Sequence, residues 1–166
     1  MNYLLYLYRM MNKAILLLLI ITLLNSCGVS KKKTSLAGNP IFLGWYADPE
    51  GIIFDDEYWV YPTFSATYEK QVFLDVFSSK DLTNWKKHDK ILDTSEINWA
   101  HKAMWAPSII KKDENYFLFF GANDIQKDNE EGGIGIAVAS TPEGPYKDYL
   151  GKPLIDKFYH GAQAIR

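Results

Sequence analysis

Cysteine is almost missing from this chain. Of 166 residues one is Cys, at position 27, so no disulfide can staple the fold and a stable domain must rely on its own core. Excess positive charge is missing too. With 18 Lys plus Arg against 20 Asp plus Glu, there is no basic stripe for a nucleic-acid partner. Long apolar runs are short: the longest, Ala14 to Leu24, broken only by Thr22, spans eleven residues, well under the roughly 20 a membrane-spanning helix needs. Helical periodicity is lacking from Asn39 onward. What is abundant is aromatic: 15% Phe, Trp and Tyr within 48% apolar residues and only 23% charged, a composition that excludes a disordered chain. Length favours one folded domain.

The first segment reads as an address. Met11-Asn12-Lys13, the apolar run and Leu24-Asn25-Ser26-Cys27 follow the layout of a signal peptide. The tetrapeptide resembles the lipobox of bacterial lipoprotein signals, and that resemblance makes Cys27 the lipidated residue and a lipid anchor the membrane contact. The alternative is a plain secretory signal with an incidental Cys27. Met1 to Met10 read as an upstream extension. Residues 1–27 are therefore expected to be a lipoprotein signal, residues 28–38, with Lys31-Lys32-Lys33, a polar tether, and residues 39–166 the exported domain. Without Arg9 and Lys13, 16 basic residues face 20 acidic ones, a net charge of -4.

From Asn39 the pattern is short β-branched and aromatic runs between turn residues, which predicts an all-β chain. Strands are expected at Ile52 to Phe54, Tyr58 to Phe64, Val72 to Phe77, Ser108 to Lys111, Tyr116 to Phe120 and Ile134 to Ala139. The first three superpose on the second three. Pro49 and Pro107, 58 residues apart, are each followed at the same offsets by Asp55 and Asp113, by Tyr58 and Tyr116, and by an aromatic pair. Ser79 to Trp85 matches Ser140 to Tyr146 at an offset of 61, a turn closing on an aromatic before another strand. A repeat of about 60 residues with three or four strands is the signature of propeller blades. The 128 residues from Asn39 to Arg166 hold two blades and the start of a third, fewer than the roughly four to eight of a closed ring. The chain is expected to be the N-terminal part of a larger propeller. The Asp55 to Tyr58 and Asp113 to Tyr116 segments read as solvated hairpin turns.

Site candidates follow from the repeat, because inner strands of a propeller converge on a central channel. The residue before the aligned proline is Asp48 in the first repeat and Ala106 in the second. Asp48 is either a carboxylate that activates water or a turn cap. Trp45 and Trp105, beside these positions, are candidate sugar-stacking rings, with Phe64 and Trp99 as further possibilities; Trp59, Phe117 and Phe119 are assigned to the core. Asn123 and Asp124 either hydrogen-bond sugar hydroxyls or make a turn. His88, His101 and His160 show no metal spacing, and His101 is placed near the channel. No metal or cofactor is called for.

Gly44-Trp45-Tyr46-Ala47-Asp48-Pro49, Trp105-Ala106-Pro107-Ser108, Phe119-Phe120-Gly121-Ala122-Asn123, Gly132 to Ala139 and Gly161-Ala162-Gln163-Ala164-Ile165 together resemble glycoside hydrolase family 43. The resemblance covers Asn39 to the end. It implies a five-bladed propeller that cleaves arabinose- or xylose-containing plant polysaccharides with inversion, and it makes Asp48 the general base. It also implies a general acid Glu on a later blade and a modulating Asp after Ile165, where this sequence has Arg166. On that ground the chain alone is expected to be inactive. Two other functions compete: a non-catalytic oligosaccharide-binding surface lipoprotein, and a retaining fructan hydrolase, which Ala47-Asp48-Pro49-Glu50 fits less well.

Overall fold

A computed structural model describes residues 3, 4, 6–11, 13, 36–123 and 132–156. Two compact units result, Met1–Ser35 and Leu36–Arg166. In the first, residues 6–11 are helical and exposed, and no helix among the described residues is long and apolar enough to cross a membrane. The signal-like run, Cys27, most of the tether, Asp124, His160 and residues 161–166 lie outside the described residues.

The second unit is all-β. Its strands are β1 (Tyr46–Phe54), β2 (Glu57–Phe64), β3 (Phe73–Ser79), β4 (Lys86–Asp93), β5 (Trp105–Lys112), β6 (Asn115–Ala122), β7 (Gly133–Ala139) and β8 (Lys147–Asp148). They form two four-stranded antiparallel meanders, β1-β2-β3-β4 and β5-β6-β7-β8. Each meander is one propeller blade, and the two repeats read from sequence are these two sheets. Alternation drives the strands. Trp59, Tyr61 and Thr63 turn one face of β2 inward at 5%, 0% and 2% exposure. In β7 the inward positions are small, Gly133, Gly135, Ala137 and Ala139. A Cβ on Gly135 would lie 2.6 Å from the Trp99 ring, so glycine lets Trp99 stack on Phe120 at 5.9 Å.

One core runs through both sheets, with Tyr61, Leu74, Leu92, Leu118, Phe120 and Tyr146 fully enclosed. Each such side chain contributes roughly 1.5–3 kcal/mol of hydrophobic stabilisation. The seam between blades is also stitched by specific contacts. Phe54 meets Tyr116 edge-on at 5.0 Å, the Ile109 N–H donates to Glu50 Oε1 at 3.3 Å, and Lys111 Nζ lies 3.4 Å from Asp55 Oδ2. The Tyr61 hydroxyl crosses the seam to donate to the Pro142 carbonyl at 2.7 Å.

Two details differ from the sequence reading. β1 begins at Tyr46, not Ile52, because a bulge carries the strand through Asp48-Pro49 where Asp-Pro reads as a break. Phe117 and Phe119 are half-buried on the opposite face of β6 from Tyr116, Leu118 and Phe120, so the latter three make the core. The expected Asp55 turn is a two-residue hairpin loop in which Asp55 and Asp56 take φ of 47° and 63°, the twist-matched geometry for a tight antiparallel connection.

Candidate active site

Both blades open with the same backbone device. In β1, Ala47 pairs with Thr63 and Glu50 with Tyr61, so Asp48 and Pro49 together oppose one residue. In β5, Trp105 pairs with Gly121 and Ser108 with Phe119, leaving Ala106 and Pro107 in the same situation. Asp48 and Ala106 both sit at φ 45°, the left-handed region that a bulge imposes and that Asp tolerates better than most residues. The bulge swings Asp48 out of the ladder. Its exposed carboxylate lines a cavity of about 270 Å³ with Ala47, Thr63, Ser65, Tyr68, Gln71, Ala103, Trp105 and Asn123. Asp48 is the one carboxylate on that wall among the described residues.

Several supports fix the wall. Thr63, 2% exposed, donates from Oγ1 to Asp48 Oδ2 at 3.2 Å and accepts the Ala106 N–H at 2.7 Å. Ahead of Asp48, the Tyr46 hydroxyl donates to Asp75 Oδ2 at 3.3 Å. Asp75 is 1% exposed, is ion-paired with Lys87 Nζ at 2.9 Å and accepts the Lys90 backbone N–H at 2.8 Å. Burial, seconded by the Asp75 charge, pushes the Tyr46 phenol up from its ordinary value. The 3₁₀ turn Tyr68–Lys70 and the residue after it meet the next blade through Ala103 N–H to Tyr68 O at 2.9 Å and Met104 N–H to Gln71 O at 2.8 Å.

Three sequence candidates converge on this cavity: Asp48, Trp105 and Asn123. The Trp105 ring lies over Gly121, where a Cβ would stand 2.7 Å from Cε2, so the glycine sets its position. Asn123 uses its amide to hold the loop before β5, accepting the His101 N–H at 2.9 Å and donating to Trp99 O at 3.1 Å. Trp45, Phe64 and His101 do not line the cavity. Trp45 is 82% exposed and its register equivalent in the second blade is Ala103, whereas Trp105 matches Ala47. Phe64 pairs with Tyr46 rather than Ala47 and stacks on Phe73 at 4.9 Å, one residue out of phase with Thr63. His101 is exposed. Trp99 belongs to the core stack on Phe120. Thr63, Tyr68 and Gln71 escaped the sequence reading. The repeat held a signal for Thr63, whose counterpart 58 residues on is Gly121, a polar group against none. Among the described residues no three His, Cys, Asp or Glu side chains stand close enough to share a metal ion.

A bulged, left-handed Asp before Pro at the mouth of a propeller blade is the feature the sequence motif encodes, and residues 37–164 match the model of glycosyl hydrolases family 43. The chain belongs to this family. Its two sheets are two blades of the family's five-bladed propeller. Among curated relatives, a β-D-galactofuranosidase of Aspergillus niger is 46% identical over 141 residues, covering 78% of this chain and 40% of its own length. A xylosidase/arabinosidase of Humicola insolens is 30% identical over 116 residues, covering 60% and 34%. This family 43 chain therefore spans well under half the length of either relative. Among solved structures, a β-xylosidase/α-arabinofuranosidase from a compost metagenome, crystallised with xylotriose, superposes with a TM-score of 0.56 at 28% identity, covering 66% of this chain and 35% of that one. An α-L-arabinofuranosidase of Clostridium thermocellum gives a TM-score of 0.56 at 28% identity, covering 72% and 39%.

Proposed function

We propose that this chain supplies the water-activating half of an inverting glycosidase that hydrolyses O-glycosyl bonds of arabinose- or xylose-containing plant polysaccharides. The observation that carries the reading is the Asp48 carboxylate, held by a bulge and a buried hydroxyl on the wall of a cavity it shares with the Trp105 ring. Asp48 is the general base. As water attacks the anomeric carbon, its proton passes to the Asp48 carboxylate, the glycosidic bond breaks, and a second carboxylic acid protonates the departing oxygen. Inversion needs the two carboxyl groups roughly 6.5–9.5 Å apart, with room for that water. The resemblance assigns the acid to a later blade, so the reading expects turnover only where such a residue completes the cavity. The apolar face of a sugar would lie on Trp105. Trp45, outside the cavity, would serve as an outer stacking ring for a longer oligosaccharide. The signal-like residues 11–27 support export, with Cys27 as a lipid anchor at the bacterial cell envelope.

The test is a panel of aryl α-L-arabinofuranoside, β-D-xyloside and β-D-galactofuranoside, the last because a relative is named for it. It uses the full-length protein and its Asp48→Asn variant. The variant should lose turnover by a factor of about 10³ or more, with its melting temperature within about 2 °C, since the exposed carboxylate makes one side-chain hydrogen bond among the described residues. Retained turnover, or a collapse of stability, would assign Asp48 to the turn instead.

A further inference from the structure

The residue before the repeat-equivalent proline has opposite roles in the two blades, and one hydroxyl connects them. A bulge removes backbone groups from the ladder. In the second blade Pro107 has no N–H, and the Ala106 N–H is aimed at Thr63 Oγ1, 2.7 Å away across the blade seam. In the first blade the bulge presents a side chain, Asp48, whose Oδ2 stands 3.2 Å from the same Thr63 Oγ1. A threonine hydroxyl has one proton and accepts through its lone pairs. Because the Ala106 N–H can only donate, Thr63 accepts from it and its proton is left to be given to Asp48. The chain of bonds therefore has one polarity, from the second blade's backbone through Thr63 to the carboxylate. Thr63 is 2% exposed, so water does not compete for the hydroxyl, and its β-branched side chain is stiff at χ1.

We infer that Thr63 is a positioning residue for the general base: it fixes the rotamer of Asp48 against the second blade and commits Oδ2 to a hydrogen bond, leaving the other carboxylate oxygen for the water proton. The inference rests on Asp48 being the base. No side chain other than Thr63 hydrogen-bonds Asp48 among the described residues, so the orientation of an exposed and otherwise mobile carboxylate depends on this contact. An aligned base matters because small misplacement of a reacting group costs rate rather than substrate affinity.

The experiment compares wild type with Thr63→Val, which keeps the branched shape and removes the hydroxyl, Thr63→Ser, which restores it, and Asp48→Asn. In the full-length protein, Thr63→Val should lower kcat about tenfold with KM within about twofold, while Thr63→Ser stays within about threefold of wild type. In parallel, NMR on the 166-residue chain follows the Ala106 amide and the Asp48 carboxyl carbon at neutral pH. Thr63→Val should move both resonances and speed exchange of the Ala106 amide, and Thr63→Ser should hold both near wild type. If Asp48→Asn abolishes turnover while Thr63→Val matches wild type, positioning is wrong and the base assignment stands. If Asp48→Asn retains turnover, the base assignment fails. An Asp48 carboxyl resonance unmoved by Thr63→Val overturns the positioning inference whatever the kinetics show.

Discussion

Replacing Tyr61 and Tyr146 by Phe, singly and together, interrogates the seam between the blades. The Pro142 carbonyl accepts two phenol hydroxyls, from Tyr61 at 2.7 Å and from Tyr146 at 3.0 Å. Tyr61 comes from β2 and the other two residues from the second blade, and the rings are 0% and 1% exposed. A neutral hydrogen bond contributes about 1 kcal/mol net, whereas leaving a carbonyl that faces buried rings without a partner costs about 1–3 kcal/mol. After Tyr61→Phe the carbonyl still has Tyr146, so the loss should be about 1 kcal/mol, and the same holds for Tyr146→Phe. The double variant leaves the carbonyl bare and should lose about 3–4 kcal/mol, a coupling of about 1–2 kcal/mol. Urea unfolding at neutral pH measures this, provided the denaturant slopes agree across the four proteins. Losses that add within about 0.5 kcal/mol would refute the shared-acceptor argument.

Three further outcomes follow from the same geometry. Gly121→Ala would set a Cβ 2.7 Å from the Trp105 ring, and should cost about 1–3 kcal/mol in thermal or urea unfolding while changing Trp105 fluorescence; an unchanged emission spectrum would mean the ring is not seated there. Asp56→Gly removes a side chain from a φ of 63° and should stabilise the hairpin by about 0.5–1 kcal/mol, read from the melting temperature. Burial pushes the Tyr61 and Tyr146 phenols well above their ordinary value, so both stay neutral in the fold while unfolded tyrosine ionises near about pH 10. Their stabilising contribution is complete below about pH 10 and is lost as pH rises toward the folded values. Tyrosinate absorbance from these two residues should emerge together with unfolding, and titration near pH 10 in an intact fold would contradict the burial.

The propeller was legible because its signal is redundant. A 58-residue offset recurs in prolines, turn carboxylates and aromatic pairs, and β6 and β7 carry plain alternation. Asp48 and Trp105 were legible through the same offset, which points at the strand entering the channel, and Asn123 through its place at the end of a channel-side strand. What stayed hidden is parity. A bulge adds one residue to one strand, and every face assignment beyond it then depends on that count. Phe64 was expected in the cavity because it is aromatic and near the strand end, yet it is Thr63, one position away, that shares the face of Asp48. Trp45 likewise precedes Asp48 by three residues but corresponds to Ala103 rather than Trp105. Hydroxyls such as Thr63 carry little compositional weight, and their partners are 15 and 43 residues distant, a separation no local pattern reports.

The paired positions beside each bulge divide space in opposite ways. In the second blade a tryptophan ring occupies the room over a glycine; in the first an alanine stands across from a threonine. Neither residue of a pair is then free to diversify alone, because enlarging one requires shrinking the other. A library meant to reshape this cavity should vary 47 together with 63, and 105 together with 121, as two-letter words rather than four independent letters. Natural variants of this fold should show the same exchange of volume within each pair.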